Sequence, residues 1–297
     1  MAHDLGEHRS TTPAGRVPSG VDAAPMSTAA YNTPQQIAVA AVAAGTTKAN
    51  LRPSNALVGG FLAGAYIAFG GLLAIVVSAG LKPDQWGGLI TLFTGLVFSL
   101  GLILVIVGGA ELLTGNMALV PLAVLAGRVS VAKMLMNWLW VTIGNLVGSV
   151  FVAYVLADKT GVIAKTGGAT ATQSYARLGA IAMGKAGTET HLEQFLRAVG
   201  CNWLVCLAVW LALAARDVAG KILAIVFPIT AFVALGFDHV VANMFFLPAA
   251  MFLHTGGVTA SNMVLNLIFA YLGNAVGAGV FVAGAYWYLY LRDQPAD

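Results

Sequence analysis

Ala234-Leu235-Gly236-Phe237-Asp238-His239-Val240-Val241-Ala242-Asn243-Met244 places an acid and an imidazole inside an apolar segment too long to cross a membrane once. From Ile222 to Leu253 the chain carries no Lys, Arg or Glu. As one straight helix that run would measure about 48 Å, against a hydrocarbon core of about 30 Å. The segment must therefore break, and Gly236 before the ionisable pair and Asn243 after it mark where it can unwind. Unwound backbone at membrane depth survives only where protein or a water-filled cavity satisfies its polar groups. His239 is therefore a candidate pore residue.

The same pattern occurs earlier in the chain. The run from Gly88 to Gly127, whose single charge is Glu111, would be about 60 Å long as a helix. Near its middle lies Gly109-Ala110-Glu111-Leu112-Leu113-Thr114-Gly115-Asn116. Glu111 corresponds to Asp238 and Asn116 to Asn243, both at an offset of 127 residues. Gly144-Asn145-Leu146-Val147-Gly148 recurs as Gly273-Asn274-Ala275-Val276-Gly277 at an offset of 129. Paired, glycine-interrupted apolar segments in two halves of a chain point to a transport site at the repeat interface. Glu111 and Asp238 are expected to be structural, accepting backbone N–H groups where the helices break.

Composition sets the class. Hydrophobic residues make up 59% of the 297 and charged ones 9%, where a soluble domain carries roughly a quarter charged. This is the balance of a multi-span membrane protein in a lipid bilayer. A net charge of +3, with scattered Lys and Arg, offers no basic face to nucleic acid. Cys201 and Cys206 fit neither a zinc pair nor a redox motif and read as buried small hydrophobes. The spans contain no nucleophile–base pair, haem-ligand pair or metal cluster, so an enzyme lacks support and no cofactor is expected.

Residues 1–32, rich in Ala, Ser, Thr, Pro and Gly, read as a flexible tail. Thr33-Pro34-Gln35-Gln36 carries the marks of a helix start and opens an interfacial lead-in helix over residues 33–55. A six-span domain follows over 56–292, all-α, with spans near 56–79, 88–127, 134–157, 198–215, 222–253 and 261–291. The second and fifth are interrupted. Repeat one covers about 56–157 and repeat two about 198–291, with three spans in each. A polar connector over 158–197 joins them, and residues 293–297 form a short tail. Lys48, Arg52, Arg128, Lys133, Arg216, Lys221 and Arg292 flank spans on the terminal side, and the short loops decide orientation. Both termini are expected in the cytoplasm, with the protein in the plasma (inner) membrane.

Three segments carry a resemblance. Ala110 to Asn116, Cys201-Asn202-Trp203-Leu204-Val205-Cys206-Leu207-Ala208-Val209-Trp210 and Gly236 to Phe246 resemble the signature segments of the formate/nitrite transporter family, and formate transporters most. The likeness covers about residues 33–292. It implies an aquaporin-like protomer of two inverted halves, assembled as a homopentamer with one pore per protomer. It further implies that His239 faces the pore beside Thr114, with Asn202 as a polar neighbour. Phe98, Leu102, Leu112, Val205 and Phe232 match constriction positions, and Lys185 matches a basic residue of the outer vestibule. The chain departs from the family pattern at Asp238, where Glu is usual, at Gly115, and in the last span from Asn266 to Asn274.

The expected cargo is a small monovalent anion with a weak conjugate acid, formate first, with nitrite or hydrosulfide as alternatives. A bare anion crossing an apolar constriction costs several kcal/mol of desolvation, and its neutral acid far less. Proton exchange or co-transport removes that barrier, the proton coming from His239 or from water. A water or glycerol channel would need two Asn-Pro-Ala boxes, which Asn116-Met117-Ala118 and Asn243-Met244-Phe245 are not. A scaffold without transport would not need Asp238 and His239 at depth.

Overall fold

The structure is a computed structural model that describes residues 31–293. The tails read for residues 1–32 and 293–297 lie outside it, apart from Tyr31, Asn32 and Asp293. Among the described residues there are helices and one isolated bridge, Tyr31 to Ala215, and no strand.

The first half contains α1 (Pro34–Ala49), α2 (Pro53–Ser78), the single turn α3 (Pro83–Trp86), α4 (Leu89–Gly108), α5 (Leu113–Leu125) and α6 (Val131–Phe151). A π-helical stretch carries α6 on to Asp158. The connector, expected as a loop, folds into α7 (Ala169–Met183) and a π turn, Gly184–Thr188. The second half contains α8 (His191–Ala214), α9 (Val218–Ala234), α10 (Val240–Phe252), α11 (Ala260–Ala278) and, after a π stretch, α12 (Ala285–Tyr290).

The caps explain two boundaries. Thr33 and Gln36 exchange hydrogen bonds in a capping box with Pro34 at the first helical position, so α1 starts where the sequence says. The same box, Thr190 with Glu193, starts α8 at His191, well ahead of the span start expected near residue 198. The apolar run marks where the helix becomes buried, and the cap marks where it begins.

Five helices, counting the π-continued ones whole, are long and apolar enough to cross a membrane: residues 53–78, 89–108, 131–158, 191–214 and 260–290. α5, α9 and α10 are shorter apolar helices, and Gly236 lies between the last two. Small residues then bring backbones together. A Cβ on Gly64 of α2 would overlap the Asn145 carbonyl of α6, and one on Gly148 the Phe61 carbonyl. In the second half Gly273 and Gly277 of α11 meet the carbonyls of Phe195 and Val199 on α8 in the same way. The halves thus repeat their packing: α2 on α6 as α8 on α11, and α1 on α5 as α7 on α10, with α4 against α9 joining them. Leucine, valine and phenylalanine side chains such as Leu62, Leu92, Leu139 and Phe227 cover the exterior, as an all-α membrane protein requires.

Candidate functional site

Each interrupted span breaks at a glycine in the left-handed region, Gly109 at φ 78° and Gly236 at φ 70°. A side chain with a Cβ is strained there. The backbone freed at each break is held by one buried asparagine. Asn145 donates to the carbonyls of Gly60 (2.8 Å) and Glu111 (2.9 Å) and accepts the Leu113 N–H (2.9 Å). Asn274 donates to Ala198 (2.8 Å) and Asp238 (2.9 Å) and accepts the Val240 N–H (2.9 Å). The Gly-Asn-x-x-Gly echo is therefore the staple of each break, a role its spacing alone did not disclose.

The two acids behave otherwise than expected. Their carboxylates accept from side chains, because the asparagines already take the broken backbone. Glu111 binds Lys48 Nζ through Oε1 (2.8 Å) and Asn116 Nδ2 through Oε2 (2.9 Å). Asp238 binds both Lys185 Nζ (2.7 Å) and Asn243 Nδ2 (2.8 Å) through Oδ1. Asn116 and Asn243 donate onward to Asn137 and Asn266, whose amides return to the carbonyls of Lys48 and Lys185. So α1 and the connector are counterparts, which no sequence echo revealed. Asn266, one of the departures from the family pattern, belongs to this network.

His239 is where the halves differ. Leu112, at the N-terminal cap of α5, makes no side-chain cap, whereas His239 caps α10 by accepting the Ala242 N–H at Nδ1 (3.1 Å). Its Nε2 lies 2.9 Å from Thr114 Oγ1. Because Nδ1 accepts, the ring hydrogen sits on Nε2 and is donated to the threonine. Asn202, expected beside the ring, instead donates to the carbonyls of Thr114 (3.2 Å) and Asn274 (2.8 Å). It sets the backbone that presents Thr114. The ring, Thr114 and Asn202 are all buried.

Around His239 lies a slot too narrow for water, lined by Phe98, Leu102, Leu112, Val205 and Phe232. Ile67 and Ile229 complete it. Both were missed, since an isoleucine in an apolar helix carries no signal of which face meets a pore. Phe98 and Phe232 pack edge to face at 5.7 Å, and Phe232 stacks on the His239 ring at 5.8 Å. The same three residues close the floor of an open vestibule of about 260 Å³ on the α7 side, where Arg177, Lys185, Glu189 and Arg197 gather. The two phenylalanines thus separate a charged antechamber from a dry slot.

The formate/nitrite transporter family model matches residues 35–288. A probable formate transporter of Methanothermobacter thermautotrophicus is 48% identical over 272 residues, 89% of this chain and 98% of its own length. Among solved structures, one described as an FNT family ion channel superposes with a TM-score of 0.77 at 32% identity, over 85% of this chain and 98% of the other. Another, described as a pentameric formate channel with formate bound, gives 0.70 at 31%, over 81% and 98%.

Proposed function

Because the chain belongs to the formate/nitrite transporter family, we propose that it moves small weak-acid anions, formate foremost, through the slot beside His239. The observation that carries this reading is the His239–Thr114 hydrogen bond set behind the Phe98–Phe232 pair. A polar donor pair lies where a desolvated solute must pass, with apolar side chains on the way in and out.

The vestibule cations draw an anion in by their field. At the phenylalanines the anion must lose water, which raises its proton affinity. It takes a proton from vestibule water, crosses as the neutral acid and releases the proton beyond. His239 already spends Nδ1 on the Ala242 N–H, and it caps a helix N-terminus, which disfavours a cation. The ring therefore works as a hydrogen-bond donor and not as an imidazolium. The Thr114 hydroxyl, accepting from Nε2, keeps its own hydrogen to offer the passing acid. The α1 side, rich in span-flanking Lys and Arg, faces the cytoplasm by the positive-inside rule, so the vestibule opens outward from the plasma membrane. The apolar exterior accommodates lipid and the neighbours of a homopentamer, as in the related formate-bound channel.

Labelled formate uptake into proteoliposomes, with nitrite and hydrosulfide as competitors, tests the cargo. The expected result is protein-dependent uptake that unlabelled formate inhibits most strongly. Stronger inhibition by nitrite or hydrosulfide would reassign the substrate, and uptake equal to that of empty vesicles would overturn the transport reading.

A further inference from the structure

Comparison of the two helix breaks isolates one feature of the second half. Glu111 uses both oxygens, one for Lys48 and one for Asn116. Asp238 takes both of its donors on Oδ1, and Oδ2 is buried with no hydrogen bond among the described residues. Its side chain is 0% exposed. Glu189, at the end of the π turn before α8, has the same arrangement. Its Oε1 takes Arg197 Nη1 at 2.7 Å, and Oε2 is buried with no donor. Lys185 ties the two carboxyl groups into one cluster: its Nζ binds Asp238, and Gln194 Nε2 bridges its carbonyl to that of Glu189. Two carboxylate oxygens cannot satisfy one another, but a carboxylic acid and a carboxylate can.

We propose that Glu189 and Asp238 hold a single proton between them, and that this proton sets the charge of the vestibule and so its capture of anions. The groups facing the pair are Lys185 on the π turn, Arg197 and the Cys201 thiol on α8, Arg177 on α7 and His239 at the break. With the proton in place, Arg177, Lys185 and Arg197 face one negative charge. When it leaves, they face two, and the pair repels internally. Glu189 is the member that releases it, since Asp238 carries Lys185 and Asn243 on its other oxygen. Burial, then the hydrogen bond and charge of Asp238, hold the Glu189 carboxyl up at about 8, against the pull of Lys185 and Arg197. A raised acid is neutral below that value. Anion capture is therefore strong in neutral or acidic surroundings and weakens as the outside pH rises through it. The effect on flux rests on the transport reading; the shared proton does not.

Two measurements separate these. Infrared difference spectra of the reconstituted protein are expected to show a protonated-carboxyl C=O band near pH 7 that vanishes by about pH 9, and that is missing in Glu189→Gln. Absence of the band from the parent, or its persistence in the variant, overturns the proposal, and the parent spectrum needs no variant to fold. In formate counterflow at equal pH on both sides, the ratio of Glu189→Gln flux to parent flux is expected to rise on the order of two- to tenfold from about pH 7 to about pH 9. The amide keeps a neutral donor toward Asp238 at every pH. A constant ratio would overturn the control of capture while leaving transport itself intact.

Discussion

Asn274→Leu is expected to leave the second half unable to hold its helix break, with folded protein recovered from membranes falling to a small fraction of the parent's. The substitution strips the partner from the Val240 N–H and from the Asp238 carbonyl, and the second donor from the Ala198 carbonyl, which keeps its bond within α8. Each buried polar group left without a partner costs about 1–3 kcal/mol, and a domain has only about 5–15 kcal/mol in hand. Asn145→Leu removes the matching staple of the first half and should act alike. Asn50→Leu is the control, since its bonds to Thr46 and Lys133 are exposed and worth less than about 1 kcal/mol. Monodisperse yield and thermal unfolding in detergent measure the difference. An Asn274→Leu protein with the parent's stability would show that the staples do not hold the breaks.

Phe232→Ala is expected to turn a selective slot into a leak. The ring packs on both Phe98 and His239 and lines vestibule and slot alike, so its loss joins the two spaces and admits water. Chloride, which has no accessible neutral acid, then gains most. Relief of only about 1.4 kcal/mol of its desolvation cost is a tenfold gain in flux. Chloride-dependent membrane current should be near background in the parent and at least about tenfold higher in the variant. No chloride current in a folded Phe232→Ala protein would place the ion barrier elsewhere.

What the sequence made legible followed from costs that a membrane enforces. An apolar run too long for one crossing must break, and Gly109 and Gly236 are where it does. Acids at depth need partners, so Glu111 and Asp238 stood out. Their partners did not, because Lys48 and Lys185 reach them from segments that share no motif and meet only by packing, α1 on α5 and α7 on α10. Composition left the connector as loop because α7 is only moderately apolar, yet it supplies Arg177 to the vestibule. Asn202 shows the limit of analogy. Its identity pointed to the ring, while its contacts hold the Thr114 and Asn274 carbonyls. Glu189 was invisible for a simpler reason: one acid in a polar stretch says nothing until its unsatisfied oxygen is seen beside another.

On the proposed function, a weak acid crosses electroneutrally past a hydrogen-bond donor at position 239. Formate uptake driven by an inward proton gradient, with membrane voltage recorded, tests it in the parent, His239→Asn and His239→Leu. Uptake in the parent is expected to follow the gradient without generating voltage. His239→Leu is expected to lose at least about tenfold, the size of one buried hydrogen bond to the passing acid, and His239→Asn, which retains an N–H donor, to lose less. Parent-level uptake in His239→Leu, or uptake that charges the membrane and ignores the gradient, would contradict the proposed function.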